Sequence, residues 1–245
     1  APMVHWPEVM VSYESSEKVL FSADGFGKFG ALGTEEPWLC EARRYYFNIV
    51  GKYGAQVQAL LKKAAGLDIQ TICPLHGPVL KEDLGYYIGK YDLWSRYEPE
   101  TDGAVVVYAS IHGNTAQAAK RMADILAEKG CPKVELIDLC REDQSYAVEA
   151  AFRYGRMAAI SATYDGGLFP AMDHFMAHLR DKTYRNRKVA LIENGSWAPA
   201  AAKCMRGYLE AMKGVAICET VHTLQGALKD ADTGVLEKIA DELLA

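Results

Sequence analysis

No apolar run in this sequence approaches the roughly 20 residues that span a bilayer, so no membrane segment is expected. The opening, Ala1-Pro2-Met3-Val4-His5-Trp6, lacks the basic and apolar regions of a leader, and no secretory signal is expected. Positive charge is in short supply: 27 Lys and Arg stand against 32 Asp and Glu, a formal net charge of -5. Non-specific nucleic-acid binding needs a basic footprint that displaces phosphate counterions, so nucleic acid is not an expected partner. The six cysteines (Cys40, Cys73, Cys131, Cys140, Cys204 and Cys218) include no C-x-x-C pair. That excludes a rubredoxin-like or zinc-ribbon site on this chain, and free thiols in a reducing cytoplasm are expected rather than disulfides. The earliest methionine that could initiate is Met3, so the chain reads as a fragment or as the product of a gene shortened at its front.

What is present is ordinary globular material: 245 residues, 50% hydrophobic and 24% charged, enough for one large domain or two modest ones. The second half is regular. Gly103 to Ala109 is a Val-rich apolar run, as expected for a strand buried on both faces. Gly113-Asn114-Thr115 opens a helix to about Lys129, with Ala116, Ala119, Met122, Ile125 and Leu126 on one face. Further strands are predicted at Val134–Leu139, Met157–Ala162, Val189–Glu193 and Val215–Val221. Helices are predicted at Asp143–Tyr154, Phe169–Leu179, Pro199–Met212 and Asp230–Leu244. Five strands alternating with five helices predict an α/β fold, a doubly wound five-stranded parallel sheet.

The first hundred residues differ. Short strands are predicted at Val9–Tyr13, Lys18–Ser22 and Thr71–Leu75. Helix is predicted over Glu35–Ala65, with a break at Gly51 to Gly54, and over Lys81–Tyr97. So few strands cannot bury these helices in a sheet of their own, and residues 1–98 read as part of a domain. The acidic stretch 99–102, Pro99-Glu100-Thr101-Asp102, reads as the linker to a second domain at 103–245.

In an open parallel sheet the ligand sits at the carboxyl ends of the strands. Three loops are expected there. Ser110-Ile111-His112-Gly113-Asn114-Thr115 offers hydroxyls, an amide and a helix N-terminus without lysine, which suits a terminal phosphate held by neutral donors. That loop carries neither G-x-x-x-x-G-K-[ST] nor G-x-G-x-x-G. Thr163-Tyr164-Asp165-Gly166-Gly167-Leu168-Phe169-Pro170 places an aromatic beside two glycines, a stacking platform for a ring. Asn194-Gly195-Ser196-Trp197-Ala198-Pro199 places a second aromatic after a strand end. Singly, each loop also reads as an ordinary cap or a packed surface aromatic; together they predict a flat, phosphorylated aromatic ligand, for which FMN fits.

At these residues the chain resembles a known family. Ser110 to Thr115 looks like the flavodoxin phosphate loop, with His112 where many flavodoxins have threonine. Ser161 to Pro170 is similar to the second flavin loop of the flavodiiron proteins, or A-type flavoproteins. Gly195-Ser196-Trp197 resembles their third, although Ala198-Pro199 departs from the commoner Gly-rich continuation. Upstream, Val4-His5-Trp6-Pro7, Phe21-Ser22-Ala23-Asp24-Gly25-Phe26-Gly27 and Leu75-His76-Gly77-Pro78 resemble motifs from the later portion of that family's metallo-β-lactamase-like domain. The resemblance implies a partial αββα segment ahead of the flavodoxin-like domain, with His5 and His76 as iron ligands and Asp24 as the bridging carboxylate of a diiron site. Imidazole and carboxylate suit iron. The family's H-x-E-x-D-H motif is absent, so the implied ligand set is incomplete in this chain.

The resemblance implies electrons passing from rubredoxin or a similar small donor through FMN to a diiron site that reduces O2 to water or NO to N2O. It also implies head-to-tail homodimers and a further N-terminal segment bearing the first ligands. Two other readings stay open: a stand-alone flavodoxin-like electron carrier with a remnant front segment, and a flavin-dependent binding module without turnover. His174 and His178, four apart on a predicted helix, could share a metal, but lack the Glu of H-E-x-x-H.

Overall fold

The computed structural model describes all 245 residues and divides them into two compact units, residues 1–98 and 99–245. In the first unit, β1 (Ser12–Glu14) and β2 (Val19–Phe21) form an antiparallel hairpin, and β3 (Thr71–Cys73) adds in parallel to β2. Its helices are α1 (Trp38–Tyr45), α2 (Gly54–Ala64) and α3 (Leu84–Ser95). The expected break is real: a wide turn at Tyr46–Val50 and a tight one at Gly51–Tyr53 separate α1 from α2. Tyr97 holds that break, its hydroxyl donating to Gly51 O (2.7 Å) and accepting from Gly54 N (3.2 Å). A Cβ at Gly54 would lie 2.4 Å from Ser95 O, so only glycine allows this approach. Trp94, Tyr46, Phe47 and Tyr91 make the buried aromatic heart of the unit.

The second unit runs β4 (Thr101–Ala109), α4 (Asn114–Glu128), β5 (Val134–Asp138), α5 (Gln144–Arg153) and β6 (Tyr154–Tyr164). It continues with β7 (Gly167–Leu168), α6 (Pro170–Asp181), β8 (Lys188–Asn194), α7 (Ala201–Glu210), β9 (Ala216–Ile217), β10 (His222–Leu224) and α8 (Asp230–Leu244). The parallel order is β10-β8-β6-β4-β5, with β9 alongside β8 and β7 folded back on β6. This is the flavodoxin-like winding, 2-1-3-4-5 when the main strands are counted in chain order. The Val-rich run explains the centre: Val105, Val106 and Val107 have no exposed surface, because helices cover both faces. Ala119, Met122, Ile125 and Leu126 of α4 pack on one face; Ala118 joins them, whereas Ala116 is only half-buried.

Three expectations need correction. β4 begins at Thr101, inside the stretch read as linker, with a register shift between Thr101 and Ala104. The strand expected at 215–221 is only the short Ala216–Ile217, and a separate strand follows it at His222–Leu224. After Cys218 N bonds Val189 O (2.9 Å), Thr220 turns away, its amide and hydroxyl both donating to Glu242 of α8. β6 extends to Tyr164 and returns as β7, because Asp165 and Gly166 both take positive φ, as a two-residue hairpin turn requires. No helix in the chain is long and apolar enough to cross a membrane.

Candidate functional site

β4 carries β5 on one side and β6 on the other, so the connections leaving β4 and β6 diverge and open a crevice at the carboxyl edge. A cleft of about 440 Å³ lies there. Ile111, His112, Asn114 and Thr115 line it from the first loop; Ala162, Thr163, Asp165 and Gly166 from the second. Asn194, Gly195, Ser196 and Trp197 complete it from the third, with Gly226 from the loop after β10. All three expected loops therefore meet at one place.

The chemistry of the cleft suits a phosphorylated aromatic ligand. Helix α4 starts from Gly113 at φ 91 with no side-chain cap, so its first-turn N–H groups stay available to an anion beside Asn114 and Thr115. No lysine or arginine lines the cleft, consistent with neutral donors holding the phosphate. Trp197 is 85% exposed beside the hollow. A large apolar ring left so exposed over a concave surface offers a face for an aromatic partner.

Not every expected residue reaches the cleft, and some that do are otherwise engaged. Ser110 and Gly113 do not line it, the Gly113 amide donating to Ser110 Oγ (3.1 Å) and tightening the turn. Gly167 and Leu168 are consumed by the hairpin with β6, and Phe169 caps α6. Tyr164 packs edge-on against Phe169 at 5.6 Å, and neither it nor Ala198 lines the cleft. Thr163 Oγ1 accepts from Ala200 N (2.9 Å) and Ala201 N (3.2 Å), satisfying two amides at the start of α7. Asn194 Nδ2 donates to Gly226 O (2.8 Å) while its Oδ1 accepts from Gly226 N (3.1 Å), pinning the last loop. Gly226 itself escaped notice; its signal was a glycine two residues after a strand end, where φ is 89.

These contacts favour Trp197 over Tyr164 as the ring partner. Trp197→Ala is expected to shift the reduction potential of a bound flavin and relieve quenching of its fluorescence; Tyr164→Ala should do neither. Unchanged emission and potential in Trp197→Ala would remove the assignment.

In the first unit the three implied ligands come together around Asp24. His5 Nε2 lies 3.0 Å from Asp24 Oδ2, and His76 Nε2 lies 3.8 Å from Asp24 Oδ1. Each carboxylate oxygen thus faces a different imidazole. His76 Nδ1 lies 2.9 Å from Lys28 O; as a donor there it leaves Nε2 with a free lone pair, the usual support of a metal-bound histidine. The loop is tightly built. Ala23 and Phe26 take positive φ, Ser22 Oγ donates to Gly25 O (2.6 Å), and Phe26 N donates to Tyr91 Oη (2.7 Å). A Cβ at Gly27 would strike the His76 ring at 2.4 Å. Tyr45, not singled out in the sequence, packs edge-on to His76 at 4.5 Å. Burial, the Asp24 charge and a hydrogen bond to it push the Tyr45 phenol well up.

The set fits the bridged part of a two-metal site and no more. Nowhere in the chain do three or more His, Cys, Asp or Glu side chains gather as a metal-holding group, and with Asp24 shared these donors serve any one ion in pairs.

No protein-family model matches the chain. It is 31% identical over 184 residues to an uncharacterized protein of Methanocaldococcus jannaschii, covering 73% of this chain and 46% of that one. It is 26% identical over 241 residues to a protein named nitric oxide reductase from Moorella thermoacetica, covering 95% of this chain and 60% of that one. Among solved structures, a rubredoxin oxygen:oxidoreductase from Desulfovibrio gigas superposes with TM-score 0.90 at 24% identity. That match covers 99% of this chain and 62% of the other. A flavodiiron protein from Giardia intestinalis gives 0.89 at 24%, covering 99% and 61%. These likenesses show the fold, and the chain spans roughly half the length of the relatives it matches.

Proposed function

We propose that the chain is a flavodiiron-type protein, that it holds FMN in the strand-end cleft and that it serves as the electron-transferring part of an O2 or NO reductase. The observation that carries this reading is the convergence of an uncapped helix N-terminus and an exposed tryptophan on one hollow. The N–H groups opening α4 and the Thr115 hydroxyl hold the phosphate. Trp197 covers a ring face, and Gly166 and Gly226 let backbone approach the ring edge. FMN, when bound, supplies transfer of electrons singly or in pairs. The residues of the cleft bind it, orient it and keep water from one face.

His5, Asp24 and His76 belong, in this reading, to the later part of a metallo-β-lactamase-like diiron domain formed by residues 1–98. Their disposition supports a bridging role for Asp24. Electrons arrive from a rubredoxin-like or other small donor, and two chains pair head to tail. A stand-alone FMN electron carrier is the second reading, favoured by the incomplete donor set around Asp24.

Loss of the Thr115 hydroxyl tests the cleft. Thr115→Val keeps the side chain's shape while removing one hydrogen bond to a charged phosphate, a loss of about 1.5–3 kcal/mol, or roughly ten- to a hundredfold in affinity. FMN should weaken by that factor and riboflavin hardly at all. Equal weakening of both would show that this loop does not hold the phosphate.

A further inference from the structure

Helix α6 carries a pair of imidazoles that neither the flavin cleft nor the Asp24 cluster uses. His174 and His178 are one turn apart, their ring centroids 4.1 Å from each other and their planes inclined by 53°. We propose that they form a binding site for a divalent transition-metal ion, with two imidazole nitrogens from the protein and water completing the shell.

The argument turns on which ring nitrogens have lone pairs to give. His174 Nδ1 lies 2.9 Å from Gln144 Oε1. The opposite end of that amide is committed, because Gln144 Nε2 donates to Ala171 O at 2.9 Å and approaches Leu139 O at 3.5 Å. Both partners of Nε2 are carbonyls, so the amide cannot be reversed, and Oε1 must be the atom facing the histidine. His174 therefore donates from Nδ1, so that in the neutral ring the lone pair belongs to Nε2. A ligand histidine held through its other nitrogen by an oxygen acceptor is the recurrent support of metal sites. His178 stands one turn further on, and imidazoles four residues apart on a helix are neighbours on its surface.

The donor type selects the class of ion. Imidazole nitrogens favour Cu2+, Ni2+ and Zn2+ over Mg2+ or Ca2+, and Cu2+ binds most tightly among the first-row divalent ions. Such an ion staples α6 across one turn, close behind the helix start at Pro170 and the hairpin that precedes it. Gln144 belongs to α5, so the site also ties the start of α5 to the middle of α6.

The test uses Cu2+ alone, titrated into the full chain after chelator treatment. The chain carries His5→Ala and His76→Ala, so that no other imidazole pair competes. Calorimetry should show one strong Cu2+ equivalent, and the electron paramagnetic resonance spectrum should show coupling to two ring nitrogens. His174→Gln and His178→Gln, which keep size and polarity, should each abolish that equivalent. Gln144→Ala should weaken it by about tenfold, the cost of removing the support of a ligand histidine. Circular dichroism and thermal melts without metal show whether each variant keeps its fold. Undiminished Cu2+ affinity in either single glutamine variant, or coupling to one nitrogen only, would overturn the proposal.

Discussion

Purified without any other polypeptide, the chain should contain little iron and should not reduce O2 or NO, even though a flavin in its cleft accepts electrons. The reasoning is a count of donors. His5 and His76 each meet one oxygen of Asp24, so an ion placed between an imidazole and that carboxylate has two protein ligands. Iron held against water and chelators needs several, and the affinity comes from their simultaneous placement. Pairing two copies of the chain duplicates the same three side chains without completing either cluster. Supplying the region of a longer relative that this chain does not match, fused or as a second polypeptide, should restore iron and turnover together. Iron analysis and O2 consumption with a chemically reduced donor, with and without that region, make the comparison. Stoichiometric iron with rapid O2 reduction by the chain alone would mean that further ligands lie within these 245 residues.

A second large effect is expected at a buried arginine of the second unit. Arg187, 2% exposed, lies just before β8 and ends among backbone carbonyls. Its Nε donates to Tyr154 O (2.8 Å), Nη2 to Phe152 O, and Nη1 to Arg185 O and Asn186 O at 3.1 and 3.2 Å. Phe152 and Tyr154 sit where α5 becomes β6, so one guanidinium satisfies the carbonyls exposed by that change of geometry. Arg187→Ala strands them out of reach of water. At about 1–3 kcal/mol for each buried acceptor, with lost packing added, about 3–5 kcal/mol of stability should vanish. Arg187→Lys should recover little, since an ammonium cannot reproduce the planar fork. Hydrogen exchange at β6 amides measures this, with an acceleration of at least about a hundredfold expected, since each 1.4 kcal/mol is a factor of ten. A change below about tenfold would mean that water reaches those carbonyls.

The positions of these effects show what a linear reading can and cannot reach. β4 and β8 were plain because a strand covered on both faces has no polar side to interrupt its apolar run. The three cleft loops were plain because glycine, hydroxyl and aromatic residues crowd the strand ends. Strand order was supplied by the structure, as was the division of the last strand, which depends on Thr220 meeting Glu242 on α8. Thr163 and Asn194 were read as ligand contacts, and although both line the cleft their side chains also hold backbone 37 and 32 residues away. No local pattern distinguishes a polar side chain that meets a ligand from one that meets a distant loop. Tyr45 was missed for the same reason: its role depends on α1 being laid beside His76.

The use of Thr163 and Asn194 as fasteners has a consequence for assembly. Thr163 ties the second loop to the start of α7, and Asn194 ties the third to the stretch after β10, through protein groups alone. The walls are thus held in register by the apoprotein, which has already met the entropic cost of ordering them. Flavin uptake then resembles the docking of a rigid key more than the folding of a flap. The apoprotein should take up and release its flavin reversibly at a rate set by encounter, with no slow rearrangement of the chain following it.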